Sequence, residues 1–233
     1  MKVGILETGA PPGDLKDRFG SYGEMFQRLL GGAHSYLWVD VRQKGWPGAT
    51  NQCDAYLITG SAAGVYDDEA WIADLKGFVQ QQCGRRPLIG ICFGHQLMAE
   101  ALGGRVIKSP KGWGIGLQRY EVKHRAPWMD DLPAFAIPAS HQDQVVELPP
   151  RAVVTAQSNF TAYAGLAYPQ LKAISFQGHP EFPPEYAKAL IELRRGRMYS
   201  QAQADEAIAS LGEPNDSACV ARWLNAFIES PAQ

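Results

Sequence analysis

Residues 87–104, PLIGICFGHQLMAEALGG, constrain the fold of this chain more than any other segment does. An apolar run that ends at Ile91 predicts a buried strand, which leads directly into Cys92. An amphipathic helix is predicted to begin at once, with its inner side between Phe93 and Leu102, and a Gly-Gly pair ends it. A buried strand joined to a helix without a loop is typical of an open sheet with parallel strands.

The rest of the chain predicts the same architecture. Short apolar runs predict strands at Val3–Leu6, Tyr36–Val41 and Ala55–Ile58. Apolar residues at helical spacing predict helices over 22–30 and 71–79. From Arg105 to Phe176 short strands and turns predict an antiparallel extension of the sheet. The remaining C-terminal part has helical periods. We therefore expect an α/β fold, a flavodoxin-like three-layer sandwich with a mostly parallel central sheet, an antiparallel extension and a helical C-terminus.

Composition narrows the class of protein. Hydrophobic residues make up 45% of the chain and charged residues 20%, as in an ordinary globular protein. The net charge is −2, with no basic block for nucleic acid and no amphipathic basic segment for a membrane surface. The N-terminal apolar run is too short for a signal peptide, and no later run has the length of a membrane span. The four cysteines are widely spaced and form no CxxC pair. We therefore predict reduced thiols, no metal site, no nucleic-acid or membrane partner and a cytoplasmic location.

Cys92 stands in a sequence that suits a nucleophile. Glycines two positions before it and two after it leave room for a side chain on a strained strand-to-helix turn. The turn lies at the carboxyl end of a strand, where ligands bind in open α/β sheets. The N-terminus of the following helix favours negative charge and so stabilises a thiolate. We predict Cys92 as the nucleophile, and Cys53, Cys83 and Cys219 as small structural residues.

Two sequence blocks carry a resemblance to a known family. GICFGHQ, at residues 90–96, is similar to the nucleophile elbow of class I glutamine amidotransferases, and ISFQGHPEF, at 174–182, is similar to the strand-borne His-x-Glu of that family. The order of the two blocks along the chain also matches. The resemblance implies a single class I glutamine amidotransferase-like domain over 1–233, with a catalytic core at 1–190 and a helical C-terminal extension at 191–233.

The resemblance implies a catalytic triad of Cys92, His179 and Glu181. A neutral thiol attacks an amide poorly, so a base must take its proton and later give one to the leaving amine. His179 is the expected base, and Glu181, two residues further along an extended segment, can fix the tautomer of the imidazole. Of the four other histidines, His34 and His124 are expected at the surface. His95 and His141 are expected to be structural.

The resemblance also implies an oxyanion hole. The tetrahedral intermediate of amide hydrolysis needs two backbone donors that point at its oxygen. One is expected to be the N–H of Phe93, directly after the nucleophile. The other is expected from the turn at Gly60 and Ser61, which align with the Gly-Gly of the family, although Ser61 replaces the second glycine.

Three residues are expected to contact the amino-acid end of the substrate. Gln96 lies four positions after the nucleophile and matches a position whose side chain makes this contact in relatives. Gln142 and Asp143 match positions whose backbone does the same. Because Gln142 stands where several relatives have glycine, we predict a modified pocket.

The implied reaction is hydrolysis of the γ-glutamyl amide bond of glutamine or a γ-glutamyl compound through a γ-glutamyl thioester, without a metal or organic cofactor. The partner is then this small-molecule substrate.

Two interpretations stay open: a stand-alone hydrolase resembling the γ-glutamyl peptidases, which the ITGS and SHQDQV segments favour, and a glutaminase subunit that supplies ammonia to a separate synthase. A catalytically silent binding module is an alternative of another class, but no triad residue is missing. The Gly-x-Cys-x-Gly spacing also fits an α/β-hydrolase. In that class the acid precedes the histidine along the chain, whereas here Glu181 follows His179.

Overall fold

The computed structural model describes residues 1–230, and a nine-stranded sheet forms the centre of this part of the chain. The strands of this sheet and of a separate two-stranded sheet are, in chain order, β1 (Lys2–Glu7), β2 (Ser35–Asp40), β3 (Ala55–Ile58), β4 (Leu88–Ile91), β5 (Arg105–Lys108), β6 (Gly114–Val122), β7 (Ala134–His141), β8 (Asp143–Glu147), β9 (Val153–Gln157), β10 (Gly165–Tyr168) and β11 (Ala173–Phe176). The main sheet has the order β2-β1-β3-β4-β11-β10-β9-β6-β7, and β5 pairs with β8. Its first five strands are parallel, and the pairings from β11 to β7 are antiparallel. The order of the parallel strands is that of flavodoxin-like folds, which confirms the predicted fold class.

Helices cover both faces of the parallel strands. They are α1 (Leu15–Phe19), α2 (Tyr22–Leu30), α3 (Trp46–Ala49), α4 (Ala70–Gln82), α5 (Phe93–Ala101), α6 (Pro184–Arg194), α7 (Gln201–Ser210) and α8 (Ser217–Glu229). On one face, α2 and α8 pack on the core that contains Leu57 of β3. On the other face, α4 and α5 pack on the core that contains the preceding residue of β3, Tyr56. Alternation along the strand therefore supplies both cores. Within the part of the chain that the structure describes, no helix combines the length and apolarity that crossing a membrane requires.

The sequence of α2 shows how a helix is fixed locally. The Ser21 hydroxyl accepts a hydrogen bond from the Glu24 N–H, and the Glu24 carboxylate accepts one from the Ser21 N–H at 2.6 Å. This capping box satisfies two backbone donors that would otherwise lack partners at the helix start. On the inner side of the helix, Met25 and Phe26 are buried, and each contributes about 1.5–3 kcal/mol through burial of apolar surface.

Strand β11 differs from the sequence-based prediction. It lies in the segment predicted to be antiparallel, and it is antiparallel to β10, but it pairs in parallel with β4. All four of its residues are buried, so the strand requires a neighbour on each edge and cover on each face. As a consequence, the residues after β11 lie beside the residues after β4.

His34, predicted at the surface, is buried beneath the C-terminal helix. Its ring nitrogen Nε2 lies 3.7 Å from a carboxylate oxygen of Glu229 in α8. The same helix fills the core with Trp223, which is fully buried. The amphipathic period of α8 does not indicate which part of the molecule the helix covers, so the burial of His34 could not be predicted. Residues 231–233, the end of the predicted C-terminal extension, lie outside the described residues.

Candidate active site

The candidate site lies at the carboxyl edge of three neighbouring parallel strands. In the register of the sheet, Ile58 of β3 pairs with Gly90 of β4, and Phe176 of β11 pairs with Ile91 of β4. The chain leaves all three strands at this edge. The turn after β3, the residue Cys92 after β4 and the segment after β11 therefore meet there, as is usual for ligand sites of open α/β sheets.

Cys92 occupies a strained turn between β4 and α5. Its φ angle is +52°, in the region that L-residues other than glycine rarely adopt. Two hydrogen bonds hold the turn against the neighbouring strands. The Cys92 N–H donates to the Phe176 carbonyl at 2.9 Å, and the Gly94 N–H donates to the Thr59 carbonyl at 3.2 Å. The turn therefore holds the Cys92 side chain where β3, β4 and β11 end.

The two glycines beside Cys92 are required by close packing. A Cβ atom at Gly90 would lie 2.6 Å from the backbone of Gly94. A Cβ atom at Gly94 would overlap the Ile58 carbonyl and lie 2.9 Å from the Ile58 Cβ. Since these contacts are with backbone or with the base of a side chain, they cannot be relieved by a change of rotamer.

We expect Gly94→Ala to lower the free energy of unfolding by about 3 kcal/mol, because the new methyl group forces β3 and α5 apart. Gly77→Ala is the matched control. Gly77 lies inside α4 with no atom near the position of its Cβ, so alanine there should raise stability by about 0.5–1 kcal/mol. Urea denaturation of both variants measures the difference. Equal stabilities would show that the turn is loosely packed.

His179 and Glu181 form a buried pair beside Cys92. The imidazole Nδ1 and the carboxylate Oε1 are 2.7 Å apart, and each residue is only 4% exposed. Burial would lower the pKa of His179, but the Cys92 sulfur and the Glu181 carboxylate raise it to about 10. Both neighbours therefore favour the protonated imidazole, the form that can give a proton to a leaving group.

The imidazole ring is held on its face and at its edge. Phe182 stacks on it, with ring centroids 3.9 Å apart and an interplanar angle of 6°. At the edge, a Cβ atom at Gly60 would lie 2.8 Å from His179 Cε1 and 3.7 Å from the Cys92 Cβ. Only glycine fits at position 60, and its backbone lies against both His179 and Cys92.

Of the residues predicted for the oxyanion hole, Gly60 and Phe93 border Cys92, and Ser61 directly follows Gly60. No backbone acceptor within residues 1–230 takes up the N–H of Phe93 or that of Ser61, so both donors are available to a ligand. The Ser61 hydroxyl donates to the Thr8 carbonyl at 2.9 Å and accepts from the Ala63 N–H at 3.2 Å. The Ser61 side chain is therefore engaged with neighbouring backbone.

Gln96, Gln142 and Asp143 lie in one connected group. The Gln96 amide, 3% exposed, donates to the Asp143 carbonyl at 2.8 Å, and the Gln142 carbonyl accepts from the Ser109 N–H at 3.2 Å. The Asp143 carboxylate accepts from the Tyr66 hydroxyl at 2.9 Å. Burial and this carboxylate raise the pKa of Tyr66 to about 12, so its hydroxyl remains protonated. Tyr66 joins the loop after β3 to the start of β8, a contact that the sequence pattern did not indicate.

His95 and His141 are buried neutral side chains. Burial lowers the pKa of His95 to about 3 and that of His141 to about 4. The Nδ1 of His95 pairs with the Ser175 hydroxyl at 2.8 Å, and that of His141 pairs with the Asp143 carbonyl at 3.2 Å. Both side chains are buried beside the site. Within residues 1–230, no group of three or more His, Cys, Asp and Glu side chains is arranged to hold a metal ion.

The fold and this arrangement define an α/β protein with a thiol, an imidazole and a carboxylate at the carboxyl edge of a parallel sheet. Residues 32–193, more than half of the chain, match the model of the family described as glutamine amidotransferase class-I. The chain belongs to the class-I glutamine amidotransferase family.

Relatives and a solved structure agree with this family. Over 97% of its length the chain is 27% identical to a protein of Schizosaccharomyces pombe described as glutamine amidotransferase-like, and it covers 98% of that protein. It is 30% identical to gamma-glutamyl peptidase 5 of Arabidopsis thaliana over 68% of this chain and 66% of the peptidase. The crystal structure of a glutamine amidotransferase from Thermotoga maritima covers 99% of both chains with a TM-score of 0.77 at 18% identity, which shows a shared fold.

Proposed function

We propose that this protein is a cysteine-dependent amidase that hydrolyses the γ-glutamyl amide bond of glutamine or of a γ-glutamyl compound. The observation that carries the proposal is the buried His179–Glu181 pair, 2.7 Å apart, beside Cys92 on a strained turn. Covalent amide hydrolysis needs a nucleophile, a base that accepts its proton and a carboxylate that orients the base, and Cys92, His179 and Glu181 can supply these three groups.

The first half of the reaction forms a thioester. The Cys92 thiolate attacks the γ-carbonyl carbon, and the carbonyl oxygen becomes an oxyanion, to which the N–H groups of Phe93 and Ser61 donate hydrogen bonds. As the C–N bond breaks, the His179 imidazolium gives its proton to the leaving nitrogen. The products of this half are ammonia or an amine and the γ-glutamyl thioester of Cys92.

The second half consumes water. Neutral His179 takes a proton from a water molecule, whose oxygen attacks the thioester carbon. The C–S bond breaks, glutamate leaves, and the thiolate and imidazolium are restored. Glu181 keeps the imidazole in the orientation that both proton transfers need and stabilises its positive charge. Gln96, Gln142 and Asp143 are the residues we assign to the amino-acid end of the substrate.

The stand-alone hydrolase is the version of this function that we favour. The similarity to a protein named gamma-glutamyl peptidase, at 30% identity, supports it. The four cysteines are free thiols, which fits a reducing compartment such as the cytoplasm. The alternative, a glutaminase subunit, requires a separate synthase to consume the ammonia.

The test is the release of glutamate and of ammonia or amine by the purified protein, given glutamine and a panel of γ-glutamyl amides and peptides. Turnover of one γ-glutamyl compound at about 1 s⁻¹ or faster, without a partner, would establish a stand-alone hydrolase. Feeble turnover across the whole panel would favour the subunit. Activity that does not depend on Cys92 would refute both versions.

We expect Glu181→Gln to reduce kcat by roughly 10²-fold, because the imidazole loses the carboxylate that orients it. The pH dependence should change in a defined direction. Glu181 is one of the groups that raise the pKa of His179, so without it the imidazolium loses its proton at a lower pH. The alkaline limb of the kcat profile should therefore move towards neutral pH.

A matched control for this variant is Glu213→Gln, which changes an exposed carboxylate after α7. It should leave both kcat and its pH profile unchanged. A Glu181→Gln variant with lower kcat but an unshifted alkaline limb would show that Glu181 does not act on the charge of His179.

A further inference from the structure

Thr8 is a buried polar residue that the proposed mechanism does not use. It directly follows β1 and is 1% exposed. Its hydroxyl has one proton and three oxygen neighbours. The nearest is the Gly60 carbonyl at 2.8 Å, while the carbonyl and the hydroxyl of Thr59 are each at 3.1 Å. The hydroxyl therefore donates to the Gly60 carbonyl.

The end of β1 and the turn after β3 are joined in both directions. The Thr8 side chain donates to the Gly60 carbonyl, and the Ser61 side chain donates to the Thr8 carbonyl at 2.9 Å. The Thr8 N–H also donates to the Thr59 hydroxyl at 3.1 Å. These bonds are buried or partly buried, where a hydrogen bond is strong and the loss of one partner is costly.

The order of the strands determines which way the peptide between Gly60 and Ser61 points. β3 lies between β1 and β4, so the turn at Gly60 lies between Thr8 on one side and Cys92 on the other. In a trans peptide the C=O and the N–H point in opposite directions, and the structure has no cis peptide within residues 1–230. A Gly60 carbonyl that points towards Thr8 therefore directs the Ser61 N–H towards the side of Cys92.

We propose that Thr8 is a positioning residue that aims the Ser61 N–H at the oxyanion. This inference rests on the proposed function, because it assigns a role to the peptide between Gly60 and Ser61 in the transition state. Thr8 does not touch the substrate. Its hydroxyl makes the shorter of two side-chain hydrogen bonds to the Gly60 carbonyl, the other being from the Thr59 hydroxyl at 3.2 Å, and so holds the peptide with its donor in place before the reaction begins.

A purely structural role for Thr8 would give a different result. If Thr8 only ties two strands together, its loss would disturb the whole edge of the sheet, including Cys92 and His179. If it orients one peptide, its loss would lower kcat while the thiolate and the binding of substrate remain intact. Alkylation of Cys92 by iodoacetamide reports the thiolate and requires no oxyanion hole, so it separates the two roles.

The experiment compares wild-type protein with Thr8→Val, Thr8→Ser and Thr155→Val on the best γ-glutamyl substrate. Valine has the shape of threonine without the hydroxyl, and serine restores the hydroxyl. Thr155 is a fully buried threonine of β9 whose hydroxyl has no partner within residues 1–230, so Thr155→Val controls for the same change elsewhere.

We expect Thr8→Val to lower kcat roughly tenfold to a hundredfold, below the 10²–10³-fold cost of removing an oxyanion donor outright. KM and the alkylation rate of Cys92 should stay within about twofold, and Thr8→Ser and Thr155→Val should retain wild-type kcat to within about threefold. If Thr8→Val proves unstable, Thr8→Ala removes the same hydroxyl and should show the same kcat and alkylation rate.

Two results would overturn the inference: a kcat for Thr8→Val within twofold of wild type, or an alkylation rate that falls together with kcat. Neither result would affect the proposed function, because wild-type activity would still depend on Cys92. Conversely, activity that survives Cys92→Ala would refute the proposed function, whatever the Thr8 variants show.

Discussion

Replacing Cys92 with alanine should reduce the release of glutamate by about 10⁴-fold or more. None of the other three cysteines lies at the carboxyl ends of β3, β4 and β11, so none can replace Cys92 as the nucleophile. Cys92 is held at the meeting point of three strand ends by a turn with φ of +52°. Without its sulfur, no thioester can form, and water would have to attack the amide directly. The remaining oxyanion donors would give only a small residual rate.

The matched control is Cys219→Ala. Cys219 is also a buried free thiol, but it lies in α8, where its sulfur contacts the Asp130 carboxylate at 3.4 Å. Cys219→Ala should keep wild-type kcat. Mass spectrometry of protein quenched during turnover should detect the γ-glutamyl group on the peptide that contains Cys92, and this adduct should be absent from Cys92→Ala. A Cys92→Ala protein with more than a few per cent of wild-type activity would eliminate the covalent mechanism.

The meeting of Cys92, His179 and Glu181 could be anticipated from the sequence because each follows a strongly apolar run. Both LIGI before Cys92 and AISF before the His-x-Glu segment are buried on both faces. Runs of this kind are typical of central strands, and parallel strands end at the same edge of a sheet. The sequence did not indicate that β11 returns to lie beside β4, since the segment before it is antiparallel. The resemblance implied that the three residues act together, but it was not used to predict that these two strands are neighbours.

Other parts of the site depend on contacts between distant segments, which periodicity does not encode. Tyr66 lies on an irregular loop, and its hydrogen bond to Asp143 spans 77 positions of the chain. Thr8 was missed in the sequence, and the one signal that could have singled it out is a polar residue directly after a strand, at the edge where ligands bind. Its bond to Gly60 depends on β1 and β3 being neighbours. The stacking of Phe182 on His179 likewise follows from the turn after β11.

Replacing His179 with glutamine should reduce kcat by about 10³- to 10⁴-fold, because one residue serves as the acid for the leaving nitrogen and the base for the attacking water. Glutamine fills a similar space but cannot carry a proton between the two steps. The matched control is His124→Gln, which changes an exposed histidine and should leave kcat at the wild-type level. Steady-state kinetics on the same γ-glutamyl substrate measures both variants.

The charge of His179 gives a second and independent measure of the same substitution. The pKa of His179 is raised to about 10, so in the wild-type protein a positive charge stays beside the Cys92 sulfur throughout the neutral range and is lost only as the pH rises towards that value. Iodoacetamide should therefore alkylate Cys92 rapidly at pH 6–7. In His179→Gln this charge is absent at every pH, so iodoacetamide should alkylate Cys92 several-fold more slowly at pH 7 than in the wild-type protein. An unchanged alkylation rate would mean that Cys92 owes its reactivity to the N-terminus of α5 alone, and His179 would then retain only its proton-transfer role.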